Sequence, residues 1–127
     1  MSEKRSIYIA SSWENRFALR TTRDELVRRG HIVTSGWLDV GEVDYPAPEG
    51  ARRDLLDILA ADTLVFWPDD LAKKTSGKYV EFGMAVGFGL DVFIVEPSSS
   101  TCIFVQLDLE NIHRVNSFSD LYDALEQ

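Results

Sequence analysis

Two short and almost unbroken apolar runs, Thr63-Leu64-Val65-Phe66-Trp67 and Asp91-Val92-Phe93-Ile94-Val95, constrain this chain more than any other feature. A strand with one wet face alternates apolar and polar residues. These runs lack the alternation, so each needs apolar cover on both faces. Pro68 ends the first run and Glu96-Pro97 the second. Cover on both faces means helices above and below a sheet, and helical patterns do flank the runs.

Around these two runs the rest of the chain falls into the same rhythm. Ser6-Ile7-Tyr8-Ile9-Ala10 is rich in strand formers, and Ser11-Ser12 supplies cap chemistry before a helical pattern from Trp13 to Gly30. In that pattern Phe17, Leu19, Leu26 and Val27 stand among charges, and Gly30 occupies the place of a helix-ending glycine. His31 to Thr34 reads as a short strand. Residues 35–50 carry three glycines, Pro46, Pro48, Trp37 and Tyr45. They read as a long loop, expected to act as a lid or a contact with a neighbouring subunit, because ordinary connections of this kind run about two to six residues. Ala51 to Ala61 has Leu55, Leu56, Ile58 and Leu59 at helical spacing. Ser76 to Phe88 is a third helix, with Ser76 as its N-cap. Thr101 to Leu109 fits either a strand or a short helix. Ile112 to Val115 reads as a last strand, followed by a helix capped by Ser117. Alternation of this kind predicts an α/β three-layer sandwich, flavodoxin-like or Rossmann-like, with a five-stranded and mainly parallel sheet. Ligands in such folds bind at the carboxyl ends of the strands, which directs attention to the loops after Ala10, Thr34, Trp67 and Val95.

Composition narrows the function classes. With 127 residues, 45% of them hydrophobic, the chain suffices for one domain spanning 1–127 and falls short of two ordinary ones. The 13 basic and 21 acidic side chains give a formal charge of -8, the reverse of a nucleic-acid binder's basic footprint. No apolar stretch reaches the roughly eighteen residues of a membrane span. Met1 to Arg5 leads into a strand pattern without an apolar signal segment, so a cytoplasmic protein without membrane contact is expected. Cys102 is the sole cysteine and reads as a spectator thiol. His31 and His113 have no ligand spacing, so neither a metal site nor a cofactor is expected. Neither GxGxxG nor GxxxxGK[ST] occurs, which removes support for dinucleotide and P-loop readings.

The helix from Ser76 to Phe88 is unusual in setting one carboxylate, Glu81, among glycines and apolar residues. Gly83, Gly87 and Gly89 each cost a helix about 1 kcal/mol relative to Ala, which suggests close approach of another backbone or a ligand. The helix entrance, Ser76-Gly77, offers backbone N–H groups that suit an anion such as a phosphate, with Lys78 beside them. Two readings of Glu81 stay open on these grounds: a reactive carboxylate, or an exposed one paired with Lys78. Taken alone, Tyr8 is a sheet-face tyrosine, Trp13 a helix-start anchor and Asp54 a first-turn dipole partner near Arg52 and Arg53.

Taken together, several of these segments resemble the nucleoside 2-deoxyribosyltransferase superfamily, including its deoxynucleoside 5′-monophosphate N-glycosidase branch. The resemblance rests on Ile7-Tyr8-Ile9-Ala10 with Trp13 after it, on Asp54 leading to Ala61-Asp62-Thr63-Leu64-Val65, and on Gly77-Lys78-Tyr79-Val80-Glu81-Phe82-Gly83-Met84-Ala85. It implies that Glu81 is a nucleophile oriented by the Tyr8 hydroxyl, and that Asp54 contacts sugar hydroxyls or assists proton transfer. Trp13 then lines the base pocket, with Ser11 and Ser12 beside it. Where the transferases carry a further aspartate about six positions before the nucleophile, this chain has Thr75 and Ser76, and the nucleotide hydrolases carry a serine. The resemblance therefore implies cleavage or exchange of the N-glycosidic bond of a nucleoside or its 5′-monophosphate, hydrolysis being favoured, and a homodimer or higher homo-oligomer. A non-catalytic nucleotide sensor and a glycohydrolase acting on NAD are the alternatives.

Overall fold

A computed structural model of the protein describes residues 4–39, 46–68, 76–96 and 102–126. The strands are β1 (Ser6–Ala10), β2 (Ile32–Val33), β3 (Thr63–Phe66), β4 (Asp91–Val95) and β5 (Ile112–Val115). The helices are α1 (Arg16–Arg28), α2 (Ala47–Leu59), α3 (Gly77–Gly87) and α4 (Phe118–Leu125), with short 3-10 helices at Trp13–Asn15, Gly36–Asp39 and Ile103–Gln106. All five strands are parallel, in the order β2-β1-β3-β4-β5. That order is the flavodoxin-like one of the two expected, and it puts a topological switch point between β1 and β3.

Side chains alternate across the sheet, so the central strands β1, β3 and β4 feed two cores. Tyr8, Ala10, Leu64, Phe66, Val92 and Ile94 pack with Ile58 of α2 and with Phe82 and Ala85 of α3. Ile7, Ile9, Val65, Phe93 and Val95 pack with Leu19 and Leu26 of α1 and with Leu121 and Leu125 of α4. Two helices therefore cover each face, which is why β3 and β4 show no polar alternation. Burial of each large aliphatic or aromatic side chain contributes about 1.5–3 kcal/mol.

Turn chemistry follows the sequence at several places. Gly30 and Gly89, with φ of +98° and +77°, close α1 and α3 in the left-handed region that other residues avoid. The Ser117 hydroxyl caps α4 by accepting from the Asp120 N–H at 3.0 Å. Asp62 ties the strand entry, accepting from the Ser6 N–H at 3.3 Å and the Thr63 hydroxyl at 2.8 Å. The ambiguous segment after residue 101 forms the 3-10 helix Ile103–Gln106.

The expected boundaries of one loop and one helix need correction. The segment 35–50 is not one loop: Gly36–Asp39 is helical, and α2 starts at Ala47, before the expected Ala51. Pro46 is its N-cap and Pro48 lies in its first turn, where a missing N–H is harmless. Residues 40–45, to which the lid reading would attach, lie outside the described residues. Among the described residues a Cβ at Gly83 or Gly87 would meet no atom within 4 Å. Ser76 is the N-cap of α3, but its hydroxyl makes no capping hydrogen bond. Among the described residues no helix is long and apolar enough to cross a membrane.

Candidate active site

The β1 alternation that buries Ile7 and Ile9 on one face turns Tyr8 to the other, toward α2 and α3. Its neighbour in the sheet is Leu64 of β3, across the switch point. Tyr8 is completely buried, and its hydroxyl donates a hydrogen bond to Glu81 Oε2. Glu81 sits in the second turn of α3, on the helix face one turn before Ala85 and next to the buried Phe82. The exposed pairing with Lys78 is thereby ruled out: the Lys78 side chain is buried and its Nζ donates to Ser12 Oγ at 3.1 Å.

Electrostatics follow from this burial. Glu81 is pushed up to about 8, first by burial and then by the nearby Asp54 charge, while the Tyr8 hydroxyl pulls the other way by favouring the carboxylate. Asp54, midway along α2, is pushed up to about 6 by burial and by Asp57. Burial and the carboxylates Glu81, Asp54 and Asp57 drive the Tyr8 hydroxyl far above its ordinary range, so it stays a neutral donor. Glu81 is thus the carboxyl of the pair that keeps its proton where Asp54 has lost its own, the two steps being coupled through their charges. One carboxylate plus one carboxylic acid is the inventory that glycosidic cleavage requires.

The remaining predicted residues line the end of β1 or the entrance of α3. Ser11 Oγ donates to the Trp67 carbonyl at 2.8 Å and accepts from Asn15 Nδ2 at 3.2 Å, joining the ends of β1 and β3. Ser12 is completely buried; with Lys78 it ties that loop to the first turn of α3. Trp13 is half-buried, with the Arg16 guanidinium 4.1 Å above its ring. Ser76 and Gly77 are exposed at the start of α3. Thr75 lies outside the described residues, as do Lys73, Lys74 and Ser98 to Ser100.

Sequence reasoning misses three participants. Trp37, in sequence only a loop aromatic, donates Nε1–H to the Ile9 carbonyl at 2.8 Å and stands 6.4 Å from Trp13 between ring centroids. Lys78 looks like a surface cation, though its place three residues before Glu81 puts it on the same face. Asp57 has no motif around it; its spacing of three from Asp54 is the available signal. Among the described residues no three His, Cys, Asp or Glu side chains gather as a metal site would need.

No protein-family model and no curated protein matches the chain. Solved structures do. The CMP N-glycosidase BcmB of Clostridium botulinum superposes with a TM-score of 0.67 at 14% identity, over 94% of this chain and 97% of that one. A 2-deoxyribosyltransferase from Bacillus psychrosaccharolyticus superposes with a TM-score of 0.69 at 20% identity, over 94% and 95%. The chain has the fold of these two enzymes. At such identities the likeness is one of architecture, and the chemistry has to be argued from the side chains.

Proposed function

We propose that this protein is an enzyme of the nucleoside 2-deoxyribosyltransferase superfamily that breaks the N-glycosidic bond of a nucleoside or its 5′-monophosphate. The observation that carries the reading is the Tyr8–Glu81 hydrogen bond beside Asp54, at the switch point of the sheet. Neighbours that cleave CMP and transfer deoxyribose on the same architecture support it.

In the proposed reaction the Glu81 carboxylate attacks the anomeric carbon as the bond to the base breaks. The proton that Glu81 holds in the free site has first passed to Asp54, which gives it to the departing base nitrogen. Tyr8 keeps Glu81 aligned and disperses its charge. A glycosyl ester on Glu81 results. Water then attacks the same carbon, its proton passes to the Asp54 carboxylate, and Glu81 is released ionised. Trp13 and Trp37 supply aromatic faces for the base. A second base in place of water would give transfer.

Hydrolysis of a deoxynucleoside 5′-monophosphate is the favoured form. Ser76 and the exposed N–H groups at Gly77 suit a phosphate, and Ser76 stands near the place where a transferase has an acid. A homodimer or higher oligomer is part of the proposal. Val80 and Phe88 on or beside α3 and Leu56 and Leu59 on α2 are exposed apolar side chains, and Gly83 and Gly87 leave open space beside them.

The test is incubation with a panel of deoxynucleosides, ribonucleosides and their 5′-monophosphates, with and without a second free base, followed by chromatography. Free base from monophosphates supports the favoured form. Base exchange would make the protein a transferase, and binding without turnover would overturn the enzymatic reading.

A further inference from the structure

Lys78 stands in the first turn of α3 with a side chain that turns inward. It is 1% exposed, its Nζ donates to Ser12 Oγ at 3.1 Å, and the same atom lies 4.9 Å from the centre of the Tyr79 ring. That ring packs edge-on against Phe66 of β3 at 5.7 Å. Burial keeps the ammonium away from the exposed helix entrance at Ser76 and Gly77. Ser12 is fixed in turn: its carbonyl accepts the Asn15 N–H at 3.0 Å, closing the short 3-10 turn that begins at Trp13. Asn15 and the Trp67 carbonyl both bond Ser11, so residues 11–15 form one block set on the ends of β1 and β3.

The same helix face carries a second tie. Glu81, one turn after Lys78, accepts from the Tyr8 hydroxyl. On the β1 side the two partners, Tyr8 and Ser12, are four positions apart, which extended chain spans with up to about 13 Å at about 3.3 Å per residue. On α3 the two are three positions apart, about 4.5 Å along the axis at about 1.5 Å per residue. A long side chain at position 78 makes up the difference. One tie leaves a helix free to tilt about the contact, whereas two at separate points fix its axis against the strand. Because the second tie ends on the residue before Trp13, it also sets that indole relative to Glu81.

We propose that Lys78 is a positioning residue: through its buried hydrogen bond to Ser12 it sets Trp13 at a fixed place against the helix that carries Glu81. The significance of that placement rests on the proposed reaction, in which Trp13 receives the base and Glu81 the anomeric carbon of one substrate. The placement itself does not. In such a reaction a shift of about 1 Å between the two would cost about 100-fold in rate.

The experiment has two arms on the full chain. The variants are Lys78→Met, which keeps most of the apolar stem and removes the donor, Ser12→Ala, which removes the acceptor, and the two combined. If one single variant fails to fold, the other still decides. In the first arm, without substrate, the indole N–H signals are followed by NMR. In Lys78→Met the Trp13 signal should move, while that of Trp67, packed against Phe118 on the other face of the sheet, should stay. An unmoved Trp13, or equal movement of both, would overturn the proposal. In the second arm, kcat and KM are measured for release of base from the panel of deoxynucleoside 5′-monophosphates. Each single variant should lower kcat by about 10- to 100-fold with KM within about twofold, and the double variant should lose little more than either single one, as residues acting as a unit do. Additive losses, or a raised KM with kcat kept, would overturn the proposal. Absence of turnover in wild type would strike the proposed function, while the first arm would still decide whether Lys78 places Trp13.

Discussion

Replacing Glu81 by Gln asks whether the carboxyl is as buried as the structure has it, without any substrate. In the fold Glu81 holds its proton up to about 8, against an ordinary value of 4.5. A raised carboxyl favours the fold at low pH, and that stability is lost as pH rises from the unfolded value through the folded one. The interval between 4.5 and about 8 corresponds to roughly 5 kcal/mol at about 1.4 kcal/mol per tenfold. Part of this belongs to the coupling with Asp54, so about 2–3 kcal/mol is the expected share of Glu81. The amide of Glu81→Gln cannot ionise, and its side-chain oxygen still accepts from Tyr8. Urea denaturation of both proteins from pH 4 to pH 9 should give nearly equal stabilities at the acid end. Glu81→Gln should become the more stable by about 2–3 kcal/mol at the alkaline end. Two curves that stay parallel throughout would refute the burial argument and, with it, the origin of the proton that Glu81 keeps.

Two further outcomes follow from neighbouring contacts. Tyr8→Phe removes a hydrogen bond to a carboxylate worth about 1.5–3 kcal/mol; kcat should fall about 10- to 100-fold with the acid limb displaced to higher pH, and a limb that stays in place would separate Tyr8 from Glu81 ionisation. At the opposite edge of the sheet, His31 Nδ1 accepts the Arg5 N–H at 3.0 Å while its Nε2 is buried without a partner among the described residues. Burial depresses this imidazole, so its contribution is present above the ordinary histidine value and is lost as pH falls through the folded one. Wild type should therefore lose more stability than His31→Gln between pH 7.5 and pH 5, read as the difference in urea midpoints.

Those residues that obey one local rule were readable in advance. β3 and β4 announced their double burial by lacking alternation, Gly30 its left-handed turn and Ser117 its cap. Glu81 stood out because a carboxylate is costly among apolar neighbours. What the sequence could not disclose depends on contacts between distant segments. Pro46 and Pro48 looked like loop breakers because nothing local distinguishes a proline that ends a helix from one that opens it. Lys78 reads as solvated until Ser12, 66 positions away, is brought beside it. Asp57 carries no motif; its meaning comes from Gly36, which the fold places within hydrogen-bond distance. Gly83 and Gly87 face open space among the described residues, so a close partner for them would have to come from a ligand or another backbone.

The separation of Tyr8 from Glu81 by 73 positions has a bearing on how the protein is made. A nascent chain emerging amino end first exposes Tyr8, Trp13 and Asp54 well before the reactive carboxylate has been translated. Even after Glu81 appears, the hydrogen bond that readies it waits for β3 to join β1. Unfinished or misassembled chains would thus lack the Tyr8–Glu81 pair, and the proposed activity would mark only those molecules whose central strands have joined.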